Sequence, residues 1–202
     1  MDFWSTFAGV YDVAEALNGG VYREMTSITA GLVPRGAEVL DCAAGTGELS
    51  LAAAQKARHV VCTDYSGEML NVARKKAKKR GLVNVEFERA NIFHLGFADG
   101  TFDAVIAGNV LHLLENPENA VRELCRVAKS GGKILLPTFM SKSGTAISAA
   151  LLKAYKRLGF SPCAEYSPRE YVEMLKGCNV GGVKSKLIKG NIPCCYAVII
   201  KY

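Results

Sequence analysis

Four short, nearly continuous apolar runs alternate with helix-like segments through the middle of this chain, and that alternation limits its fold more than any other feature. The runs are AEVL (37–40), HVVC (59–62), DAVIA (103–107) and KILL (133–136). Strands this apolar are covered on both faces, as in parallel sheets. Between them lie TGELSLAAAQKA, SGEMLNVARKKAKKRG and NPENAVRELCRVAKSGG, each with helical character. Gly81 is placed to close the second helix, and Asn116 before Pro117 to open the third. NVEFERAN supplies one more strand. Strands joined by helices imply right-handed crossovers and a mostly parallel sheet.

The C-terminal part changes rhythm. Ser143 to Gly159 and Ser167 to Gly177 read as helices. GGVKSKLIKG and CCYAVIIKY are then separated only by Asn191, Ile192 and Pro193. That gap cannot hold a crossover helix, so the two runs form an antiparallel hairpin. The expected fold is α/β and doubly wound: a mostly parallel seven-stranded sheet with an antiparallel C-terminal strand.

The whole chain, 202 residues with half of them hydrophobic, reads as one domain. Its expected parts are a helical N-terminal cap (1–30), a ligand-binding core (35–140), a helical substrate-side segment (141–180) and a C-terminal hairpin (181–202). The net charge of +6 is mild and does not by itself indicate nucleic acid. The basic run Arg74 to Arg80 lies on a helix whose other face carries Met69, Leu70, Ala73 and Ala77. A solvated helix face explains it without RNA. No run reaches the roughly 18 apolar residues of a membrane span, and MDFWSTFAGVYD, with an acid at position 2 and no basic stretch, is not expected to act as a signal peptide. Seven cysteines without a CxxC pair read as reduced, mostly buried thiols in a cytoplasmic protein. No zinc-type spacing is visible, so no metal is expected. Convergence of Cys163, Cys178 and Cys194 on a thiophilic substrate such as arsenic is a minor alternative.

The chemistry centres on VLDCAAGTGELS, where a strand ends in Asp41 and a glycine-bearing turn leads into a helix. Such a turn is a ligand site at the carboxyl end of a sheet. A nucleoside triphosphate requires a Lys after the last glycine, whereas Gly47 is followed by Glu48. A dinucleotide requires GxGxxG, but counting from Gly45 the third glycine is Ser50. Acids beside the turn suit a nucleoside with a cationic centre and no phosphate, which describes S-adenosylmethionine. Asp64, ending the second strand, can accept both ribose hydroxyls, a feature NAD would share; the competing role is capping the helix that starts near Ser66. Asn91 and the N–H of Ile92 can meet an adenine edge, unless Asn91 is a turn residue.

Four segments in order, VLDCAAGTG, VVCTDYSGEML, FADGTFDAVIAGNVLHLL and LCRVAKSGGKILL, resemble the motifs of class I S-adenosylmethionine-dependent methyltransferases. The likeness covers roughly residues 35–140. With FWSTFAGVYD at the start it looks most like the ubiquinone/menaquinone-biosynthesis C-methyltransferases and their small-molecule relatives. The resemblance implies the Rossmann-like methyltransferase fold with S-adenosylmethionine as cofactor. By it, Ala43, Gly45 and Gly47 line the methionine end. Asp41 holds the turn and, directly or through water, the cofactor's amino group, and Asp64 holds the ribose. Tyr65 and Met69 flank the adenine, and Asn91 and Ile92 read its edge. Asn109 faces the methyl group through its carbonyl, and Tyr11 closes over the site. In-line methyl transfer from a sulfonium needs alignment and exclusion of water more than a fixed catalytic pair, and none is identified; His112 is a candidate base. Phe3, Trp4, Phe7, Leu151, Leu152, Tyr155 and Phe160 suggest a small apolar or aromatic acceptor, unless they pack the cap onto the sheet. The alternatives are a nicotinamide oxidoreductase and an S-adenosylmethionine-binding protein without catalysis.

Overall fold

The computed structural model describes residues 18–143 and 162–202. The expected helix over 143–159 therefore lies, from residue 144 on, outside the described residues, as do Tyr11, Phe3, Trp4, Phe7, Leu151, Leu152, Tyr155 and Phe160. Helix α1 (Gly19–Leu32) buries Val21, Met25 and Thr29 at helical spacing. Then β1 (Glu38–Cys42), α2 (Glu48–Ala53), β2 (His59–Asp64), α3 (Gly67–Lys79), β3 (Val85–Arg89) and β4 (Phe102–Ile106) follow. After a 3₁₀ turn at Leu111–Leu113 come α4 (Pro117–Val127), β5 (Ala128–Phe139), α5 (Pro168–Gly177), β6 (Gly181–Ile188) and β7 (Cys194–Lys201).

The strands form one seven-stranded sheet in the order β3-β2-β1-β4-β5-β7-β6. Pairings from β3 through β5 are parallel, and β7 is antiparallel to both β5 and β6. This is the expected mixed sheet, including the reversed last strand. Its strand order turns around between β1 and β4, the place where open α/β sheets leave a crevice at their carboxyl ends. One core cluster joins Leu40, Val105, Ile134 and Leu136 to Leu124 of α4 and Tyr171 of α5. The other joins Val39, Ile106 and Leu135 to Met25 of α1 and Leu49 of α2.

Local signals are read with varying success. α3 buries Met69, Leu70, Ala73 and Ala77, the expected stripe. Gly81 follows it with a φ of 68°, a left-handed C-terminal stop. Two helix ends are corrected. α2 stops at Ala53, not Ala57, with Ala54 as its cap. α4 stops at Val127, and the stretch AKSGG belongs to β5. The reason lies in the sheet register: Phe102 pairs with Ala128, but Ala104 pairs with Lys133. Two residues of β4 thus face five steps of β5, which forces a bulge. A Cβ on Gly132 would lie 2.7 Å from the Lys129 carbonyl oxygen, so the bulge requires glycine there.

Candidate functional site

The turn after β1 is held by the neighbouring strand. Ala44 N–H donates to the Thr63 carbonyl at 2.9 Å, and Gly45 N–H donates to Asp64 Oδ2 at 2.8 Å. Ala43, Gly45 and Gly47 all have left-handed backbone, with φ of 53°, 56° and 83°. Ala43 does so despite its Cβ, a conformation that costs an L-residue roughly 1–2 kcal/mol. The bareness of Gly47 has a packing cause. A Cβ there would sit 2.8 Å from the Ala73 Cβ on α3. The structure brings Asp41, Ala43, Gly45, Gly47 and Asp64 into one place at the mouth of the crevice.

The two acids differ. Asp64 lies at the end of β2 and accepts from Gly45 N–H through Oδ2 and from Ser66 N–H through Oδ1, both at 2.8 Å. The cap of α3 is Ser66, whose Oγ accepts from Met69 N–H at 3.3 Å, so Asp64 is not the N-cap the sequence offered as its competing role; it steadies the residue that is. Asp41 is 1% exposed. Ser50 Oγ donates to its Oδ2 at 2.5 Å, and its Oδ1 has no hydrogen-bond partner. Burial pushes its carboxyl up to about 7, against the pull of the Ser50 hydrogen bond and with a small push from Asp64. Ser50 was not singled out in the sequence. The available signal was a lone hydroxyl in ELSLAA, three residues after the left-handed cap Gly47.

Glu48 requires a correction. Lys76 Nζ lies 2.9 Å from its Oε1, and Arg80 reaches both carboxylate oxygens at 2.9–3.0 Å. Burial pushes this carboxyl up, but those two cations outweigh it and hold it below the usual range. The charge of Glu48 is spent on α3, so it is not the group that disfavours phosphate at the turn. Lys76 also donates to Thr46 Oγ1 at 2.9 Å.

On the expected adenine side, Tyr65 is 65% exposed, and the Arg89 guanidinium lies 5.5 Å above its ring. Met69 and Ile92 are buried. Asn91 behaves as a turn residue: its Oδ1 accepts from Phe93 N–H at 3.0 Å, which leaves the amide N–H₂ as the end open to a ligand. At the end of β4, Asn109 has a φ of 55°. It is held on three sides, since its N–H donates to Pro137 O at 2.8 Å, its Oδ1 accepts from Phe139 N–H at 3.2 Å and its Nδ2 donates to Tyr22 Oη at 3.4 Å. The rings of Tyr22 and Phe139 meet edge to face, 5.6 Å apart. Tyr22 was missed in the sequence because nothing local links α1 to β5. His112 sits in the 3₁₀ turn beyond Asn109, and burial lowers its imidazole to about 4. It is neutral at physiological pH.

The seven cysteines carry no disulfide, and Cys163 alone among them is exposed. No group of three His, Cys, Asp or Glu side chains is placed to hold a metal ion among the described residues. Nor is any helix among them long and apolar enough to cross a membrane. In the run Arg74 to Arg80, Lys76 and Arg80 bind Glu48, and the Arg74 guanidinium lies 5.1 Å above the Phe87 ring.

The site fits an S-adenosyl nucleoside. A buried carboxyl with an unpartnered oxygen suits a cationic amino-acid end, and a second carboxylate ends the adjacent strand where a ribose would lie. Comparison with known proteins points the same way. Residues 40–136 match the methyltransferase domain family. The chain is 32% identical over 167 residues to a ubiquinone/menaquinone biosynthesis C-methyltransferase of Idiomarina loihiensis, covering 79% of this chain and 65% of that one. With the enzyme of the same name from Azotobacter vinelandii it shares 34% over 170 residues, covering 81% and 66%. The chain thus spans less than two thirds of the length of these curated relatives. In fold it resembles a methyltransferase from Aquifex aeolicus, with a TM-score of 0.63 and 24% identity over 86% of this chain and 88% of that one. A chain from the complex of the Haloferax volcanii Trm112 methyltransferase activator with a methyltransferase gives a TM-score of 0.78 at 16% identity, over 100% and 98%. The [4+2]-cyclase SpnF shares the fold too, with a TM-score of 0.63 and 22% identity over 81% and 58%.

Proposed function

Since the chain belongs to the class I S-adenosylmethionine-dependent methyltransferase superfamily, we propose that it transfers a methyl group to a small, apolar or aromatic acceptor. The observation that carries this reading is Asp41, a carboxyl group buried under a bare turn with one oxygen unpartnered. A protein binding pyrophosphate at this turn would gain nothing from such a group. When bound, the cofactor supplies a methyl on a sulfonium, already activated for displacement.

The chain's own residues bind and align. Asp41 receives the amino-acid end, and the left-handed backbone at Ala43, Gly45 and Gly47 leaves room for it. Asp64, at the end of β2 beside the turn, takes the ribose hydroxyls. Tyr65 and Met69 flank the adenine, and Asn91 and Ile92 meet its edge. Asn109, fixed by β5 and Tyr22, sets the wall on the methyl side, and Tyr11 closes the site from the N-terminal cap. Alignment of this kind supplies up to roughly 7–11 kcal/mol of a barrier. His112, half-buried and neutral, acts as a proton acceptor only if the acceptor substrate must lose a proton. Tyr22 and Phe139 beside Asn109 support an aromatic or apolar acceptor, as do the relatives named for quinone biosynthesis. The same reading keeps the chain as one domain with its cap at 1–30, core at 35–140, substrate-side segment at 141–180 and hairpin at 181–202. It makes the protein cytoplasmic and leaves nucleic acid without a role.

The test is calorimetric titration with S-adenosylhomocysteine and with NADH, followed by transfer of labelled methyl to small aromatic acceptors. Binding of NADH without S-adenosylhomocysteine would refute the reading. Because a cyclase shares the fold, binding without transfer to any acceptor would leave a cofactor-binding protein and remove the proposed activity.

A further inference from the structure

Asp41 sits at the end of β1 among groups from three other elements. Ser50 on α2 donates to its Oδ2 at 2.5 Å. The charged group that acts on it is a second carboxylate, Asp64 on β2, which opposes its ionisation. The thiols of Cys42 on its own strand and Cys62 on β2 stay neutral, because burial pushes both up. Tyr196 on β7 is also pushed up by burial, with its hydroxyl 2.6 Å from Thr29. Among the described residues, this carboxyl takes its hydrogen bonds from Ser50, no cation offsets its charge, and Oδ1 has no hydrogen-bond partner.

We propose that ligand binding expels a proton from Asp41: the buried carboxyl, hydrogen-bonded at Oδ2 and unpartnered at Oδ1, sheds the proton it retains in the free protein and becomes a carboxylate when the α-ammonium of S-adenosylmethionine or S-adenosylhomocysteine docks at Oδ1. The inference rests on the methyltransferase reading and deepens it. The O–H bond of the carboxyl breaks, its electron pair stays on Asp41, and the proton leaves to solvent. The ammonium keeps its protons, so one positive and one negative charge are buried together. A cation within hydrogen-bond distance favours the ionised acid. Burial that places the free carboxyl near neutrality gives this cation something to change.

The experiment is titration with S-adenosylhomocysteine in buffers of different ionisation enthalpy at pH 6, 7 and 8. A free carboxyl titrating near 7 releases roughly 0.9, 0.5 and 0.1 proton at those three values. The dissociation constant should fall about tenfold per pH unit on the acid side and level off above pH 8. Adenosine, which lacks the ammonium, should release none. Ser50→Ala removes the side-chain hydrogen bond that favours the carboxylate, leaving the backbone one, and should raise the release at pH 8. Asp41→Asn should bind more weakly, with no exchange and no such pH dependence. Tight binding of S-adenosylhomocysteine with no proton release at pH 6 would overturn the proposal and leave the methyltransferase reading standing, and so would equal release by adenosine. Failure of S-adenosylhomocysteine to bind at any pH would overturn both.

Discussion

Gly47 separates two reasons for a bare turn, room for a ligand and room for a helix. In Gly47→Ala the new Cβ meets Ala73 Cβ at 2.8 Å and Ala73 Cα at 3.5 Å, on a backbone with φ of 83°. The left-handed backbone costs alanine roughly 1–2 kcal/mol. Overpacking against α3 adds roughly 1–3 kcal/mol. The less flexible unfolded chain returns roughly 0.4–1 kcal/mol. The net loss is about 1–5 kcal/mol, or about 2–18 °C in Tm for a chain this long. Ala73→Gly removes the offending Cβ and leaves only the ordinary 3.5 Å contact. Alone it costs about 1–2 kcal/mol for a glycine in a helix and a lost buried methyl. Urea unfolding of the wild type, both single variants and the double variant closes a thermodynamic cycle. The expected coupling is about 1–3 kcal/mol, with the double variant more stable than the sum of the singles. Additivity within about 0.5 kcal/mol would refute the packing explanation. If the double variant regains stability but not affinity for S-adenosylhomocysteine, the Cβ of residue 47 also obstructs the ligand.

Three further outcomes follow from the charges of the site. Asp41→Asn should stabilise the free protein at pH 8 by up to about 4 kcal/mol and by little near pH 4. The sign comes from a folded carboxyl at about 7 against an ordinary 3.8: the unfolded chain sheds its proton first, so stability is lost as pH rises between them; urea melts at the two pH values decide it. His112 acts in the opposite direction, with a folded value of about 4 against 6.5, so stability falls as pH drops through that window by up to about 3 kcal/mol. His112→Gln should flatten this acid limb, and an unchanged melt at pH 4.5 relative to pH 7.5 in the wild type would contradict the assignment. Asp64→Ala should lower both stability, by about 1–3 kcal/mol, and cofactor affinity, because the side chain accepts two backbone N–H groups as well as the ribose. Asp64→Asn should lower affinity more than stability, and equal effects in a binding and a melting assay would make Asp64 structural only.

The sheet was legible because its central strands are covered on both faces and therefore appear as unbroken apolar runs. Its reversed end was legible because three residues cannot span a crossover. What escaped the sequence depends on distant partners. The charge of Glu48 looks free beside Gly47, yet Lys76 and Arg80, 28 and 32 residues away, occupy it. AKSGG reads as the end of a helix, but the register of β4 against β5 makes it a bulge. Asn91 had two local readings; the Phe93 N–H engages its Oδ1 in a turn and leaves the amide N–H₂ for the other. Asp41 was visible as an acid before the turn. That one of its oxygens lacks a partner was not, because it depends on Ser50 and on how α2 packs over β1.

The residues that weaken this fold gather where a ligand would strengthen it. Among the described residues, three besides glycine have positive φ: Ala43, Asn109 and Asn179. Asn179 follows the C-cap of α5, where a left-handed residue is an ordinary helix stop. The other two follow β1 and β4, the strands between which the order turns around. The half-satisfied carboxyl of Asp41 lies two residues from Ala43. A chain shaped for stability alone would put glycine at 43 and a neutral side chain at 41. Strain and an unpaired buried acid at one end of one pair of strands are what a site preorganised for a cation requires, because the ligand then supplies the missing partner. Ala43→Gly probes this directly. It should raise stability by up to about 1 kcal/mol, the backbone relief less the added freedom of the unfolded chain. It should also weaken S-adenosylhomocysteine binding, since the turn is then no longer held open in advance. A variant that gains stability and binds as well as the wild type would show that the strain at 43 has no part in the site.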